Sequence, residues 1–230
     1  MDWRRTERRV VEVLFTAMAL ATAVSAVEAI GHAVTDPSAR KWSLVGYWLL
    51  RTAVVTAIAA FVFARQPARR RSREPVAFLA CAVAIVSLLA LQQPADGAGT
   101  GLVAAGELVA LVSCAWLLAS VLTLGRCFGV LPEARGLVTR GPYRVVRHPM
   151  YVGELGLCLG LVIAAPSAWN AGVFAVFALA QATRMRLEER ALTNEFPEYA
   201  RYATSTARFI PHALRLSRPA GGSRHEPSNA

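Results

Sequence analysis

The sequence predicts an all-α, polytopic membrane protein with four spanning helices, a C-terminal helical hairpin and a cytoplasmic amphipathic helix. The first observation is composition: of 230 residues, 55% are hydrophobic and only 17% are charged. With a mean hydropathy of +0.40, this composition excludes a disordered chain and an ordinary soluble domain. The second is a series of apolar runs, each near the ~20 residues that cross a bilayer core, at 10–31, 43–64, 76–92 and 101–124.

The third observation is the placement of positive charge. The net charge of +10 comes from arginines that flank the apolar runs, whereas Gln92–Thr100 has no Lys or Arg. The flanking arginines are Arg4, Arg5, Arg8 and Arg9, then Arg65, Arg69, Arg70, Arg71 and Arg73, and then Arg126, Arg135, Arg140, Arg144 and Arg147. By the positive-inside rule they predict a cytoplasmic N-terminus and a cytoplasmic 125–149 segment. The basic balance is thus a topology signal, and we expect no nucleic-acid partner.

A fifth apolar region, at about 150–182, is interrupted by Pro166–Asn170. A single span here would place the basic residues from Arg184 onward outside the cell. A helical hairpin that turns near Pro166–Asn170 returns them, and the C-terminus, to the cytoplasm. Each arm would have about 16 residues, or roughly 24 Å, which is short for a full crossing. We prefer the hairpin, and the arginine-rich, lysine-poor composition suggests a bacterial inner membrane.

These features predict three regions. Residues 1–124 would form a four-helix membrane region that shapes lipid-side access, residues 125–216 a catalytic region containing the hairpin, and residues 217–230 a disordered tail. The four cysteines lie far apart and mostly in apolar runs, which favours small core residues over a metal site or disulfides. We predict no metal. The sequence leaves the oligomeric state open.

Ionisable residues within or near the apolar runs are functional candidates, because burying charge in hydrocarbon is costly. Glu28, Arg51 and Glu107 have an equally good account as residues that reach water or pair with a neighbour, so their roles stay open. Glu154 differs because it lies one turn into the predicted hairpin, directly after the densest polar stretch of the chain. We take it as a candidate catalytic residue.

That polar stretch is GPYRVVRHPMYVGE, residues 141–154. Proline is favoured in the first turn of a helix, so Pro149 predicts the start of the first arm and places His148 at its N-cap. Free backbone N–H groups there, with Arg144 and Arg147, suit a small anion. Tyr143 and Tyr151 add aromatic faces with hydroxyl groups. A plain interfacial belt of Tyr and Arg is an alternative on residue type alone.

A second polar cluster follows the hairpin in RMRLEER, residues 184–190. Arg184 and Glu188 are four residues apart and share a helix face. A surface helix with ion pairs explains this segment by itself. The hairpin topology, however, brings it to the same membrane face as His148, so that anion-binding groups and carboxylates together complement a zwitterion.

Three segments resemble the isoprenylcysteine carboxyl methyltransferase family and, more loosely, the membrane phospholipid N-methyltransferases. They are GLVTRGPYRVVRHPMYVG (136–153), RMRLEERALTNEFPEYARY (184–202) and RFIP (208–211). The resemblance covers about the last 80 residues before the tail. It implies a multi-helix membrane enzyme that uses S-adenosylmethionine.

The resemblance also implies roles for individual residues. The residues that would bind the cofactor are Gly136, Leu137, Val138, Tyr143, His148, Pro149, Met150, Tyr151 and Glu188, with Glu189 at the second acidic position. Arg184 would face the substrate and its reacting carboxylate.

We therefore expect methyl transfer to a lipophilic acceptor, with membrane lipids as surroundings. A carboxylate fits best, because it needs no general base, whereas an amine or thiol would need His148 or Glu154 to take its proton. The sequence leaves open whether oxygen, nitrogen or sulfur is methylated. Two alternatives are a membrane reductase with a nicotinamide cofactor and a non-enzymatic transporter or scaffold that docks on anionic headgroups.

Overall fold

A computed structural model of the chain describes residues 3–64, 66, 70–71, 74–92, 100–129 and 131–209. The helices are α1 (Trp3–Thr35), α2 (Ala39–Ala64), α3 (Pro75–Ala90), α4 (Thr100–Leu124), α5 (Pro149–Ala164), α6 (Ala168–Glu195) and α7 (Tyr199–Ser205). Short 3₁₀ turns occupy Gly125–Cys127 and Gly141–Arg144, and two short strands are β1 (Arg70–Arg71) and β2 (Glu133–Ala134). The all-α prediction is confirmed. The predicted tail 217–230 and the arginines at 65, 69 and 73 lie outside the described residues, as does most of Gln92–Thr100.

Each predicted apolar run forms a helix. Within the described residues, three segments are long and apolar enough to cross a membrane: Val11–Thr35, Ala39–Ala64 and Gly101–Cys127. Helices α3 and α5 are apolar but have only 16 residues each. The chain is thus an integral membrane protein by composition and helix length, while the predicted number of four full spans is not confirmed.

The hairpin turns where the sequence predicts, because α5 ends at Ala164 and α6 begins at Ala168. Its second arm differs from the prediction. Helix α6 has 28 residues and continues through the charged segment 184–190, so the separate amphipathic helix that we predicted there is wrong. The reason is local: beyond Gly172 no Gly or Pro interrupts the helix formers until Pro197, which disfavours helical backbone at the preceding Phe196.

Buried side chains fix this turn against α3. The Asn170 amide oxygen accepts from the Gln92 N–H at 2.9 Å, and its nitrogen donates to the carbonyls of Gln92 (3.1 Å) and Ala165 (2.8 Å). Ser167 caps α6 by accepting from the Asn170 N–H at 3.0 Å. The Trp169 indole donates to the Ala90 carbonyl at 2.8 Å. The end of α3 is therefore held to the start of α6, along which α3 packs.

Helix α5 packs antiparallel on α4 through small residues. A Cβ on Gly160 would lie 2.6 Å from the Gly106 carbonyl oxygen, and one on Gly153 would lie 2.8 Å from the Cβ of Leu117. Such spacing lets two backbones approach closely, which is how helices associate in lipid without a hydrophobic driving force. This packing places the N-terminus of α5, and with it His148, beside the C-terminal half of α4.

Two ionisable residues whose roles the sequence leaves open have local partners. The Arg40 guanidinium donates to Glu107 at 3.3 Å. The Arg51 guanidinium donates to the Tyr47 hydroxyl at 2.9 Å and lies 5.2 Å from the centre of the Trp48 ring. The Arg40–Glu107 contact joins α2 to α4, whereas the contacts of Arg51 lie within α2.

Gly160→Ala tests the helix packing. The new methyl group has no space against Gly106, so we expect the free energy of unfolding in detergent to fall by roughly 1–3 kcal/mol. Gly101→Ala on α4 is the matched control, because a Cβ there meets nothing within 4 Å and alanine favours a helix. Equal stability of the two variants would show that the α4–α5 contact is not close-packed.

Candidate active site

The N-terminus of α5 begins as the sequence predicts. Pro149 is the first helical residue, and His148 precedes it as the N-cap with non-helical backbone angles (φ −124°, ψ 58°). The Trp116 indole on α4 donates to the Pro149 carbonyl at 2.9 Å, which anchors this first turn. The preceding 3₁₀ turn starts at Gly141, whose positive φ of 58° favours glycine. Both breakers in GPYRVVRHP therefore have a structural use.

One face of α6 meets this end of α5. Gln181, Arg184 and Glu188 are spaced by three and four residues and form what we call the inner face of α6. The Tyr151 hydroxyl donates to Glu188 at 2.9 Å, and the Arg184 guanidinium lies 5.1 Å from the centre of the Tyr151 ring. The two polar clusters of the sequence are thus adjacent, as the hairpin predicts.

Deeper along the hairpin, Arg184 has a carboxylate neighbour. One terminal nitrogen of Arg184 lies 3.5 Å from Glu154 and donates to the Gln181 side-chain oxygen at 2.6 Å. The Gln181 nitrogen in turn donates to Glu154. Cys81 of α3 lies within hydrogen-bond reach of Arg184. The charges of Arg184 and Glu154 are therefore paired with each other and hydrogen-bonded to Gln181, as burial in a low-dielectric site requires.

Glu189 is the hub of the site at its His148 end. Its carboxylate lies 2.9 Å from His148 Nε2 and 3.6 Å from an Arg147 nitrogen, and it accepts two hydrogen bonds from Arg208, the Nε one at 3.0 Å. Burial acts to raise the pKa of Glu189, but these cationic donors outweigh it and hold the pKa at about 2. An ionised carboxylate can only accept, so Nε2 of His148 carries a proton.

Arg208 belongs to residues 206–209, which we call the C-terminal strap. The Arg147 N–H donates to the Ala207 carbonyl at 2.8 Å, and Val146 pairs with Ala207 in a parallel bridge. From α7, the Tyr202 hydroxyl donates to the Tyr143 carbonyl at 2.6 Å. The strap and α7 thus cover the loop that carries His148.

Two buried polar atoms of this loop and α7 make no hydrogen bond within the described residues. They are Nε of Arg147 and the hydroxyl of Tyr199. Burial raises the pKa of Tyr199 above its usual range, and the neighbouring Arg147 acts in the opposite direction. Buried polar groups are nearly always satisfied, so these two neighbouring atoms are candidate donors to an anionic ligand group.

Comparison with known proteins shows similarity over the part of the chain that carries this geometry. Residues 96–199 match the family model described as phospholipid methyltransferase. They contain α4, α5 and α6, and hence His148, Tyr151, Glu154, Arg184 and Glu188.

Three curated relatives match a similar stretch. The chain is 39% identical over 106 residues to cobalt-zinc-cadmium resistance protein CzcN of Cupriavidus metallidurans, covering 44% of this chain and 49% of that protein. It is 35% identical over 107 residues to nickel-cobalt-cadmium resistance protein NccN of Alcaligenes xylosoxydans xylosoxydans (44% and 50%). It is 37% identical over 100 residues to protein-S-isoprenylcysteine O-methyltransferase A of Arabidopsis thaliana (40% and 51%). The chain spans about half the length of these relatives. The family resemblance predicted from the sequence is confirmed.

Not every predicted site residue faces the carboxylates with its side chain. Met150 packs against the buried cluster that α2 and α4 form, which consists of Val54, Cys114, Leu117 and Val121. Leu137 packs in the cluster between α6 and α7, and a Cβ on Gly136 would meet the sulfur of Cys127 at 2.6 Å. Val138 is half-buried. These residues pack around the site, and their assignment to the cofactor stays a prediction.

Sequence reasoning missed four residues of the site: Trp116, Gln181, Arg208 and Cys81. Gln181 had a usable signal, because it is a polar residue inside the apolar part of 150–182 and precedes Arg184 by three. Arg208 lay in the quoted RFIP segment without a role. Trp116 and Cys81 are surrounded by ordinary apolar sequence, and only the tertiary fold shows that they reach α5 and α6.

Glu189→Gln tests the hub. At pH 7 we expect the free energy of unfolding to fall by roughly 1.5–3 kcal/mol, as for loss of charged hydrogen bonds. Because the folded pKa of about 2 lies below the usual value of 4.5, the stabilisation is complete above pH 4.5 and is lost as pH falls towards 2. The difference between wild type and variant should therefore stay constant from pH 8 to 5 and shrink below. Denaturation in mixed micelles followed by tryptophan fluorescence measures it.

The matched control is Glu198→Gln, an exposed carboxylate whose side chain makes no cap hydrogen bond. It should behave like wild type at every pH. A difference between wild type and Glu189→Gln that varies across pH 5–8 would contradict the ion-paired arrangement.

Proposed function

We propose that this protein transfers a methyl group from S-adenosylmethionine to a lipophilic acceptor at the cytoplasmic face of a bacterial inner membrane. The observation that carries the proposal is the meeting of His148 and Tyr151 at the start of α5 with Glu188 and Arg184 on α6. It lies inside the segment that matches the phospholipid methyltransferase family. The basic flanks of the helices support a cytoplasmic N-terminus, site and C-terminus.

The residues present fit the proposed cofactor. Its amino-acid part is a zwitterion: Arg147 and Tyr199 offer unused donors to a carboxylate, and Glu188 and Glu189 offer acceptors to an ammonium group or ribose hydroxyls. Tyr143, His148, Pro149, Tyr151 and the backbone of 136–138 would form the walls. When bound, S-adenosylmethionine supplies a methyl group on a positively charged sulfur, which is already a good leaving group. The chain therefore has mainly to position the two reactants and exclude water.

Arg184 is the residue that we assign to the acceptor. A lipophilic carboxylate would take a charge-assisted hydrogen bond from the guanidinium, in competition with Glu154 at 3.5 Å. It would need no general base, and it is the acceptor that we propose. An amine or thiol acceptor would instead give its proton to Glu154, which faces the same space. With a carboxylate acceptor, Glu154 would thus compete for Arg184. With an amine or thiol acceptor, Glu154 would be the general base.

The decisive experiment is incubation of the purified protein with methyl-labelled S-adenosylmethionine and host lipid extract. We expect label in a lipid-soluble product that releases volatile methanol in mild alkali, because a methyl ester is cleaved by hydroxide and N-methyl or thioether products are not. Alkali-stable label would still show methyltransferase activity, but it would exclude a carboxylate as the methyl acceptor. Absence of label, with calorimetric binding of a nicotinamide cofactor and not of S-adenosylmethionine, would favour a reductase instead.

Glu188 and Arg184 should separate cofactor binding from turnover. Glu188→Gln should weaken S-adenosylmethionine binding by roughly 1.5–3 kcal/mol, the usual contribution of a charged hydrogen bond. Arg184→Ala should leave that affinity near wild type and lower the rate of lipid methylation at least tenfold. Calorimetry and the labelling assay provide the two readouts.

The control for this pair is Glu107→Gln, which changes a carboxylate paired with Arg40 outside the site. It should leave cofactor affinity unchanged. Unchanged affinity in both Glu188→Gln and His148→Ala would support a transporter or scaffold, and equal loss of binding and turnover in Arg184→Ala would make Arg184 a cofactor ligand.

A further inference from the structure

The face of α6 opposite the candidate active site changes character along its length. Positions 172, 176, 179, 186 and 190 fall on one stripe of the helix, which we call the outer face of α6. All five are exposed. Gly172, Val176 and Leu179 make its first half apolar, and Arg186 and Arg190 make its second half cationic. Such a stripe matches the change in polarity across one half of a membrane, from the apolar hydrocarbon core to the charged headgroups.

A cavity of about 360 Å³ lies at the cationic end. Its lining, which we call the arginine groove, consists of Arg186, Glu189, Arg190, Thr193, Asn194 and Arg208. Three arginines against one glutamate leave a net charge of +2. Glu189 is also engaged by His148, Arg147 and Arg208, so its own charge is largely compensated. Thr193 and Asn194 add neutral hydrogen-bonding groups.

The position of the groove along α6 fits lipid headgroups. At 1.5 Å per residue, Arg186 lies about 27 Å and Arg190 about 33 Å from Ala168, while the hydrocarbon core is about 30 Å thick. Near the opposite end, Trp169 is 57% exposed, as expected for an aromatic anchor at the other interface. A helix along the membrane normal therefore brings both arginines to headgroup depth.

We propose that the arginine groove is a binding site for an anionic phospholipid, with the phosphate between Arg186, Arg190 and Arg208 and an acyl chain along Gly172, Val176 and Leu179. Arginine binds phosphate oxygens in a bidentate manner, and two or three converging guanidinium groups favour a phosphate over a zwitterionic headgroup. The apolar half of the outer face distinguishes a lipid from a free phosphate ion, which would use the groove alone. This site is separate from the inner face that carries Arg184 and Glu188.

The site has a consequence for the C-terminal strap. Arg208 is the strap residue that joins both the groove and Glu189. A lipid phosphate held there would add a second anchor to the strap over the His148 loop. Anionic lipid should therefore stabilise the folded protein through Arg186 and Arg190, which lie outside the candidate active site, and through Arg208, which joins the groove to that site.

The test uses the full chain in a non-ionic detergent, with phosphatidylglycerol or phosphatidylcholine added to the micelles. We expect phosphatidylglycerol, and not phosphatidylcholine, to raise the unfolding temperature. The double variant Arg186→Gln/Arg190→Gln should bind phosphatidylglycerol roughly 30-fold more weakly, given the usual contribution of each arginine near a membrane surface. Arg140→Gln/Arg201→Gln is the matched control, since both arginines are exposed and lie outside the groove.

Two outcomes would contradict the proposal. Equal affinity in the double variant and the control would show a non-specific charge effect, and the same shift with inorganic phosphate would show a site for a free anion. Leu179→Asp, placed on the apolar half, should weaken lipid binding without changing the response to salt of the phosphate contact. The single variant Arg190→Gln, with an intermediate loss, provides the answer where the double variant does not fold. None of these readouts depends on methyltransferase activity.

Discussion

The antiparallel return of α6 along α5 is the constraint on which the site depends. Tyr151 and Glu154 precede the turn at 165–167 by about as many residues as Gln181 follows it, so the polar residues of the two arms reach the same depth. The turn itself is closed by the Asn170 side chain, which is completely buried and bonded to three backbone groups. A shift of one residue in this turn would rotate α6 by about 100° and move Arg184 away from Tyr151. The turn at the far end of the hairpin therefore determines which residues of α5 and α6 face each other, and not only that the two helices lie close together.

The apolar interior of a membrane permits this close helix packing and also requires that buried charges are paired. Glycine at positions 106, 153 and 160 lets α4 and α5 approach until their backbones touch, and this holds the first arm although it has only 16 residues. In the same low-dielectric space Arg184 and Glu154 must find partners, and they find each other and Gln181. Paired charges at depth are stable while nothing else is bound, yet they offer a ligand a charged group that needs little reorganisation.

The sequence predicts helices well here because long apolar runs and Gly-Pro breakers are strong signals. It predicts His148, Pro149, Tyr151 and Glu188 as neighbours because the positive-inside rule required a hairpin. It fails where the information is tertiary. We did not predict that α6 is continuous, because the charged segment 184–190 suggested a helix boundary. The helix propensity of its residues gives no such boundary. Cys81 was missed because nothing in an apolar helix shows which neighbour it will meet.

Glu189 shows why adjacent acidic residues cannot be given one role. Glu188 and Glu189 are one position apart, so they point about 100° away from each other on α6. Glu188 faces Tyr151 and belongs to the inner face, whereas Glu189 faces His148, Arg147 and Arg208 at the boundary with the arginine groove. A carboxylate that is bound by two arginines and His148 can hold the strap and the His148 loop together while leaving Glu188 to a ligand. The resemblance assigns both to the cofactor, and their contacts differ. Glu188 meets the Tyr151 hydroxyl, whereas Glu189 joins the strap to the His148 loop, so that an event at the arginine groove would reach the candidate active site through Glu189.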